Sequence, residues 1–335
     1  MVEAKGAPVD ELLLDIHGLK TYFYTEEGVG LAVDGVDLQL RPGGTLGLAG
    51  ESGCGKTMTA LSILRLVQSP PGRVVGGKVL FGGRDLLELT EEEMRKIRGK
   101  EISMVFQEPM TALNPVLTIG EQISEMIQLH QGMDRRKAMV RVGEMLDLVR
   151  IPEARLRIRE YPHQLSGGMR QRVMIAMALS CHPKLVIADE PTTALDVTTQ
   201  AQILDLINRL KREMGVSIIL ITHNLGVIAE MTESVAIMYA GRVMEWIDGG
   251  EIFLRAKHPY TLGLLASFPK MEEDEDRLEA IQGTVPNIYK LLPGCKFSER
   301  CKYMSNRCGE EPPLIEVEEG HKIRCWLYTH EGVVY

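Results

Sequence analysis

Short apolar segments alternate with longer amphipathic segments over most of the chain, from about Leu12 to Glu245. The apolar segments are Thr45–Ala49, Ile102–Phe106, Leu185–Ala188, Val216–Ile221 and Val235–Met238. Nearly continuous apolar runs of this length are typical of strands buried on both faces, with helices between them. The pattern therefore predicts an α/β fold built on a mostly parallel sheet.

One region departs from this alternation. Between Thr118 and Arg150 the apolar residues recur every three or four positions, with charged residues between them, which is typical of amphipathic helices. They are Ile119, Ile123, Met126, Ile127, Val142, Met145, Leu146 and Val149. Further along, the acidic run Glu272–Asp276 predicts a solvated linker. A segment rich in Pro, Gly and Cys follows it to Tyr335.

Composition narrows the class of protein. The 335 residues are 44% hydrophobic and 25% charged, which is typical of a globular chain, and the formal charge is −8. A net acidic chain has no general attraction to nucleic acid or anionic lipid, so a bound anion needs a local site. No apolar stretch reaches the roughly 20 residues of a spanning helix, and we expect no secretory signal. Six cysteines in such a chain are more typical of thiols or metal ligands than of disulfides.

The strongest motif is a phosphate-binding loop at residues 50–57, which fits G-x-x-x-x-G-K-[ST] and lies between the strand Thr45–Ala49 and the predicted helix Thr59–Val67. Its backbone N–H groups and the helix N-terminus would hold phosphate. The predicted ATP ligands are Gly50, Glu51, Ser52, Gly53, Cys54, Gly55, Lys56, Thr57 and Met58. Among them, Lys56 would reach the β- and γ-phosphates and Thr57 would bind Mg²⁺.

A second motif ends the apolar strand Leu185–Ala188 with two carboxylates. We predict that Asp189 holds Mg²⁺ and that Glu190 orients and deprotonates an attacking water. Exposed acids at a strand end are otherwise unremarkable, so the phosphate-binding loop is what favours the catalytic interpretation.

A third motif, Leu165–Gln171, places Ser166, Gly167 and Gly168 before the predicted helix Val173–Leu179 and forms a second anion-binding N-terminus. Here the chain resembles the ATP-binding subunits of ABC transporters, whose signature is Leu-Ser-Gly-Gly-Gln; Met169 replaces the Gln. The resemblance implies a head-to-tail dimer in which Ser166, Gly167, Gly168 and Asp196 of one subunit close over ATP on the other. It also identifies Gln107 as the Q-loop residue that senses Mg²⁺, Asp196 as part of the D-loop and His223 as the switch histidine that contacts the γ-phosphate.

The adenine base is expected to stack on an aromatic residue of the first strand. The family pattern favours Phe23, with Tyr22 and Tyr24 as competitors, and packing of this aromatic cluster in the sheet is the alternative.

The resemblance extends beyond the ATPase core. The segments His258–Leu262, Leu291–Phe297 and Phe106–Pro115 look like those of oligopeptide and dipeptide importer subunits. It implies a P-loop NTPase fold with an antiparallel β subdomain, an ATPase domain over residues 1–250, a helical subdomain at about 108–165, and a C-terminal extension over 251–335.

Four cysteines lie in that extension, at Cys295, Cys301, Cys308 and Cys325. They lack the paired C-x2–4-C spacing that is typical of structural zinc. Spacing alone leaves a [4Fe–4S] cluster, zinc and free thiols open. The resemblance favours the cluster, because some members of the importer subfamily carry one here. Of the other two cysteines, Cys54 is expected to have a lowered pKa at its helix N-terminus, and Cys181 is expected to pack in the core.

The sequence thus predicts an ATPase subunit that energises peptide import. The implied partners are two membrane permease subunits, a second ATPase subunit (the same chain or a sister chain) and, indirectly, an extracytoplasmic peptide-binding protein, with the subunit at the cytoplasmic face of the membrane. A nickel or other small-solute importer is the nearer alternative. A soluble ABC ATPase acting on nucleic acid is disfavoured by the single cassette and the acidic charge, and an iron–sulfur redox protein would need an electron-transfer partner.

Overall fold

The structure, a computed structural model, describes residues 12–267 and 281–329. The acidic run at 272–276 lies outside the described residues. The described residues divide into two compact units: the first contains 12–41, 45–87, 222–267 and 281–329, and the second contains 42–44 and 88–221. The domain boundaries predicted above follow the family pattern and stay a prediction.

The strands of the described residues alternate with helices as the apolar pattern indicates. In chain order they are β1 (Leu14–Thr25), β2 (Gly28–Leu40), β3 (Thr45–Ala49), β4 (Gly72–Phe81), β5 (Arg84–Asp85), β6 (Ile102–Val105), β7 (Leu185–Asp189), β8 (Ser217–Ile221), β9 (Ser234–Tyr239), β10 (Arg242–Asp248), β11 (Ile315–Glu318) and β12 (His321–Ile323). All five predicted strands are present, with ends that differ by one residue or less.

The α-helices of the described residues fall mostly in the second unit. In chain order they are α1 (Lys56–Ile63), α2 (Glu91–Ile97), α3 (Pro109–Ala112), α4 (Ile119–Gln131), α5 (Arg135–Leu148), α6 (Ala154–Arg157), α7 (Gly167–Leu179), α8 (Val197–Met214), α9 (Leu225–Met231), α10 (Ile252–Arg255) and α11 (Pro259–Ala266).

The first unit holds an antiparallel sheet in the order β2-β1-β4-β5, together with β11-β12-β10-β9-β3. In the latter set β3 and β9 are parallel, with Leu46 opposite Ser234, and the other neighbours are antiparallel. Every residue of β3 is buried, which explains its unbroken apolar sequence. Strand β3 delivers the chain directly into the phosphate-binding loop.

The second unit contains three parallel strands in the order β8-β7-β6, with Leu185 opposite both Ile102 and Ser217. Strands β7 and β8 are buried along their whole length. The carboxyl ends of parallel strands share one edge of a sheet, so the residues that follow β6 and β7 come close together.

The predicted helical region consists of α4 and α5. Helix α4 begins at a capping box in which the Thr118 hydroxyl accepts from the Glu121 N–H and the Glu121 carboxylate accepts from Thr118. It ends at Gly132, whose φ of 65° favours glycine. Of the eight apolar positions given above for this region, seven are buried, including Ile123, Val142 and Leu146, and Met126 is half-buried.

Two helices begin earlier than predicted. Helix α1 spans Lys56–Ile63 rather than Thr59–Val67, so it also ends four residues earlier, and α7 begins at Gly167 rather than Val173. The first turns of both helices carry mostly polar residues or glycines, which apolar periodicity does not detect. The start of α7 is marked instead by the Ser166 side chain, which caps it. Among the described residues, no helix is long and apolar enough to cross a membrane.

Candidate functional site

The phosphate-binding loop of the first unit is shaped by two glycines that no other residue could replace. Gly50 has φ of +144°, and a Cβ there would lie 2.2 Å from the Met238 carbonyl oxygen. Gly55 has φ of +108°, and a Cβ there would lie 2.5 Å from the Ala32 carbonyl oxygen. Both the backbone conformation and the close approach therefore require glycine.

Helix α1 begins at the end of this loop. Its N-cap Gly55 supplies no side-chain cap, so the first-turn N–H groups of Lys56, Thr57 and Met58 have no cap from that residue. A helix N-terminus of this kind favours an anion. The Lys56 ammonium is buried and donates to the carbonyl oxygens of Gly50 (2.8 Å) and Glu51 (3.0 Å). The loop and Lys56 thus form one concave, positively polarised group suited to phosphate.

The expectation for Cys54 was wrong. Burial raises the pKa of its thiol, and the nearby Lys56 ammonium lowers that pKa by less. The side chain is 1% exposed, and its sulfur lies 3.7 Å from Lys56 Nζ. The thiol is therefore neutral and shielded from reagents, because desolvation disfavours the thiolate more than the cation favours it. Cys181 is buried, as expected for a packing residue, and burial raises its pKa as well.

In the second unit the structure brings Gln107 and Glu190 together. Gln107 follows β6 and Glu190 follows β7, and Gln107 Nε2 donates to Glu190 Oε2 at 2.9 Å. Thr193 Oγ1 donates to the same oxygen at 2.8 Å. These two donors orient the Glu190 carboxylate. Sequence reasoning missed Thr193, although its position three residues after Glu190 in a turn is a usable signal.

The backbone at Glu190 is strained. Its φ of +44° lies in the left-handed region, which costs a non-glycine residue about 1 kcal/mol or more. The preceding Asp189 is 2% exposed at the end of β7. A strained residue directly after a buried carboxylate is typical of functional turns. The geometry allows Glu190 to act as a base.

The signature and D-loop residues of the second unit lie side by side. Ser166 is the N-cap of α7, and its hydroxyl accepts from the Met169 N–H at 3.3 Å. Asp196 is the N-cap of α8, and its carboxylate accepts from the Thr199 hydroxyl at 2.7 Å and from the Thr199 N–H at 2.9 Å, which together lower its pKa. A Cβ on Gly168 would lie 2.8 Å from Thr199 Cγ2, so the two helix N-termini approach closely.

His223 and the aromatic candidates belong to the first unit. His223 is exposed after β8, one residue before Asn224, which caps α9. On β1, the Tyr22 hydroxyl donates to Asp34 Oδ1 at 2.7 Å, and burial together with this bond raises the pKa of Tyr22 to about 12. Phe23 pairs with Gly30 on β2 and is half-buried, whereas Tyr24 is 49% exposed. The choice of Phe23 for adenine stays a prediction.

The four cysteines of the extension line one cavity of about 250 Å³ in the first unit. Its walls also include Phe297 and the Arg307–Trp326 pair, in which the guanidinium lies 4.2 Å from the ring centroid. Burial and, to a smaller extent, the neighbouring thiols raise the pKa of Cys295 to about 11 and that of Cys325 to about 12. Thiolates here therefore need a compensating cation, so the donor set fits a metal group in its chemistry. Within residues 12–267 and 281–329, however, no group of three or more His, Cys, Asp or Glu side chains could hold a metal ion as arranged.

Comparisons with known proteins agree with this geometry. Residues 33–193 match the ABC transporter family, and residues 244–308 match the oligopeptide/dipeptide transporter C-terminal region. The dimeric structure of the ATP-binding cassette MJ0796, in a post-hydrolysis state with ADP and phosphate, is similar at a TM-score of 0.64 and 28% identity, over 73% of this chain and 100% of that one. The fold and motifs define an ABC-type ATPase.

Close relatives of this chain are ATP-binding proteins of peptide transporters. The oligopeptide transport ATP-binding protein AppD of Bacillus subtilis is 50% identical over 96% of this chain and 98% of its own. OppD of Haemophilus influenzae is 48% identical over 94% of this chain and 97% of its own. A probable peptide ABC transporter ATP-binding protein of Sinorhizobium fredii is 51% identical over 95% and 96%. The chain therefore belongs to the oligopeptide/dipeptide family of ABC transporter ATP-binding proteins and is an ATP-hydrolysing subunit.

Proposed function

We propose that this chain hydrolyses ATP to energise the import of dipeptides or oligopeptides. The observation that carries the proposal is the similarity to oligopeptide transport ATP-binding proteins over nearly the whole of both chains. The match of residues 244–308 to the oligopeptide/dipeptide C-terminal region favours peptides over nickel or another small solute. The partners would be two membrane permeases, a second ATPase subunit of the same or a sister chain, and an extracytoplasmic peptide-binding protein, with this subunit at the cytoplasmic face.

The residues divide the chemistry among them. The loop at 50–57 would bind the phosphates, with Lys56 reaching the β- and γ-phosphates. Thr57, Asp189 and Gln107 would hold Mg²⁺, which would supply positive charge to neutralise the phosphates. Glu190, oriented by Gln107 and Thr193, would take the proton of the attacking water.

The remaining predicted contacts need the dimer. Ser166, Gly167, Gly168 and Asp196 of a second subunit would close over the nucleotide, and His223 would contact the γ-phosphate. The two adjacent helix N-termini at Ser166 and Asp196 support a shared anion-facing surface.

The transport proposal can be tested by reconstitution. We expect this chain, co-expressed with two permeases and a second ATPase from neighbouring reading frames, to form a complex in proteoliposomes whose ATPase rate rises when peptide-loaded binding protein is added. The same binding protein without peptide is the control. Stimulation by nickel-loaded but not peptide-loaded receptor would contradict peptide import while leaving the ATPase assignment intact.

We also propose that Cys295, Cys301, Cys308 and Cys325 hold a [4Fe–4S] cluster that ties the extension together, with zinc as the alternative. Four thiols around one aromatic-walled cavity support it. Protein purified anaerobically is expected to be brown and to contain iron and acid-labile sulfide. A Cys301→Ser/Cys308→Ser variant should lose both, whereas Cys181→Ser should lose neither. Colourless wild-type protein with stoichiometric zinc would contradict the cluster.

A further inference from the structure

Two residues that follow the β10 strand in the chain hold the phosphate-binding loop at Glu51. The Glu51 N–H donates to the Tyr260 hydroxyl at 2.8 Å. Arg300 forms a bidentate pair with the Glu51 carboxylate, through Nη1 to Oε2 at 2.6 Å and Nη2 to Oε1 at 3.0 Å. Glu51 is therefore hydrogen-bonded through both its backbone and its side chain to residues that are more than 200 positions away in the sequence.

Arg300 is itself firmly held. Its side chain is 6% exposed, and Nε donates to the Gln282 carbonyl oxygen at 2.8 Å. Its Nη2 also donates to the Ile281 and Gly283 carbonyl oxygens, and its guanidinium lies 5.7 Å from the Tyr239 ring centroid. The pair with Glu51 raises the pKa of Arg300 further above its ordinary value. A bidentate pair of this kind, with its arginine buried and its carboxylate partly exposed, fixes orientation as well as distance.

Tyr260 is held in place by helix capping and aromatic packing. It is fully buried in the second position of α11, next to Pro259, and the His258 side chain caps that helix by accepting from the Tyr260 N–H at 3.0 Å. Its ring meets those of Tyr239 at 4.7 Å and Phe297 at 5.2 Å. Rotating the hydroxyl away from Glu51 would require repacking this aromatic cluster.

We propose that Tyr260 and Arg300 are positioning residues of the ATP site, and that the C-terminal extension preorganises the loop for phosphate. Glu51 immediately follows Gly50, and its carbonyl oxygen accepts from Lys56, so fixing Glu51 fixes the start of the loop and the resting place of its lysine. Preorganisation of this kind lowers the ordering cost of binding. The inference rests on the loop being the ATP site and not on which solute is transported.

The C-terminal extension also contacts strand β2. The Ile288 carbonyl accepts from the Leu31 N–H at 3.0 Å, and a Cβ on Gly30 would lie 2.8 Å from the Tyr289 ring. Gly30 is the residue paired with Phe23, so the extension also packs beside the predicted adenine platform. Because Arg300 directly precedes Cys301, the same segment links the loop to the four-cysteine cavity.

The test compares variants that loosen the loop with matched variants elsewhere in the extension. Tyr260→Phe removes the hydroxyl that bonds Glu51, whereas Tyr328→Phe removes a hydroxyl that donates to the Lys257 carbonyl oxygen. Arg300→Gln removes the pair with Glu51, whereas Arg255→Gln removes pairs with Glu251 and Glu318. We measure the Kd for Mg–ATP by calorimetry, amide hydrogen exchange of residues 50–57 without nucleotide, and the thermal midpoint of the full chain.

Tyr260→Phe is expected to weaken ATP binding about three- to tenfold, and Arg300→Gln about tenfold or more. Both variants should speed amide exchange in the 50–57 peptide. The matched controls should lower the thermal midpoint by a similar amount but leave the Kd and the exchange of this peptide unchanged. Arg300→Lys should restore little, because lysine cannot make the bidentate pair. Unchanged Kd and exchange in Tyr260→Phe and Arg300→Gln would overturn the proposal and leave the contacts a purely structural role. If Arg300→Gln fails to fold, Tyr260→Phe decides alone.

Discussion

Replacing Glu190 with glutamine is expected to leave ATP binding intact and to lower kcat for ATP hydrolysis about 10²- to 10⁴-fold, the usual contribution of a general base. Glutamine keeps the shape of the side chain, and its amide oxygen can still accept from Gln107 and Thr193. Glutamine and glutamate tolerate a φ of +44° equally poorly, so the substitution should not change the backbone strain at this turn. What disappears is the basic oxygen that would accept the proton of water.

Two further variants separate chemistry from positioning. Thr193→Val removes one of the two donors to Glu190 Oε2 and should lower kcat only several-fold, with no change in the Kd for ATP. Glu144→Gln removes a surface carboxylate that pairs with Arg141 and should change neither quantity. The measurements are steady-state phosphate release and calorimetric binding of Mg–ATP. Near-normal turnover by Glu190→Gln would remove Glu190 from the role of base.

The features predicted well from sequence are those that local chemistry determines. The glycine and lysine spacing of residues 50–57 can be read directly from the sequence, and β3, β7 and β8 are recognisable because every position in them is buried. Helix starts were less accurate, because Gly167 and Gly168 carry no apolar side chain and the cap at Ser166 is a single hydrogen bond. Such boundaries depend on one polar contact rather than on a repeating pattern.

Burial and contacts between residues far apart in the sequence could not be predicted from the sequence. The reactive Cys54 was expected from its place at a helix N-terminus, but its burial, with its sulfur beside the Gly50 position, reverses the pKa shift. The Arg300–Glu51 pair joins residues 249 positions apart, and no motif containing Arg300 hints at it. The His258-Pro259-Tyr260 segment looked like a subfamily marker only. The fold shows that these residues cap a helix and bring a hydroxyl to the phosphate-binding loop.

Replacing Lys56 with methionine is expected to weaken Mg–ATP binding about 10- to 100-fold, which is the usual worth of a hydrogen bond to a charged partner. Lys56 is 5% exposed and lies within the loop, so its ammonium would act at a phosphate with little screening by water. Methionine keeps most of the apolar stem and removes only the charge and its donors. Two backbone acceptors, on Gly50 and Glu51, lose their partner, so the thermal midpoint must be measured alongside Kd.

The matched control for that variant is Lys78→Met, which removes an exposed lysine from β4 in the same unit and the same net charge from the chain. If loss of one positive charge were enough to weaken nucleotide binding, both variants would bind ATP less tightly than the wild type. Their difference in Kd from the wild type would then shrink with added salt. A local cradle instead predicts that Lys78→Met binds as the wild type does, at every salt concentration. Wild-type affinity in folded Lys56→Met would show that the backbone N–H groups alone hold the phosphates. This contrast decides how an acidic chain binds a highly charged anion, because it separates the field of the whole protein from one buried ammonium.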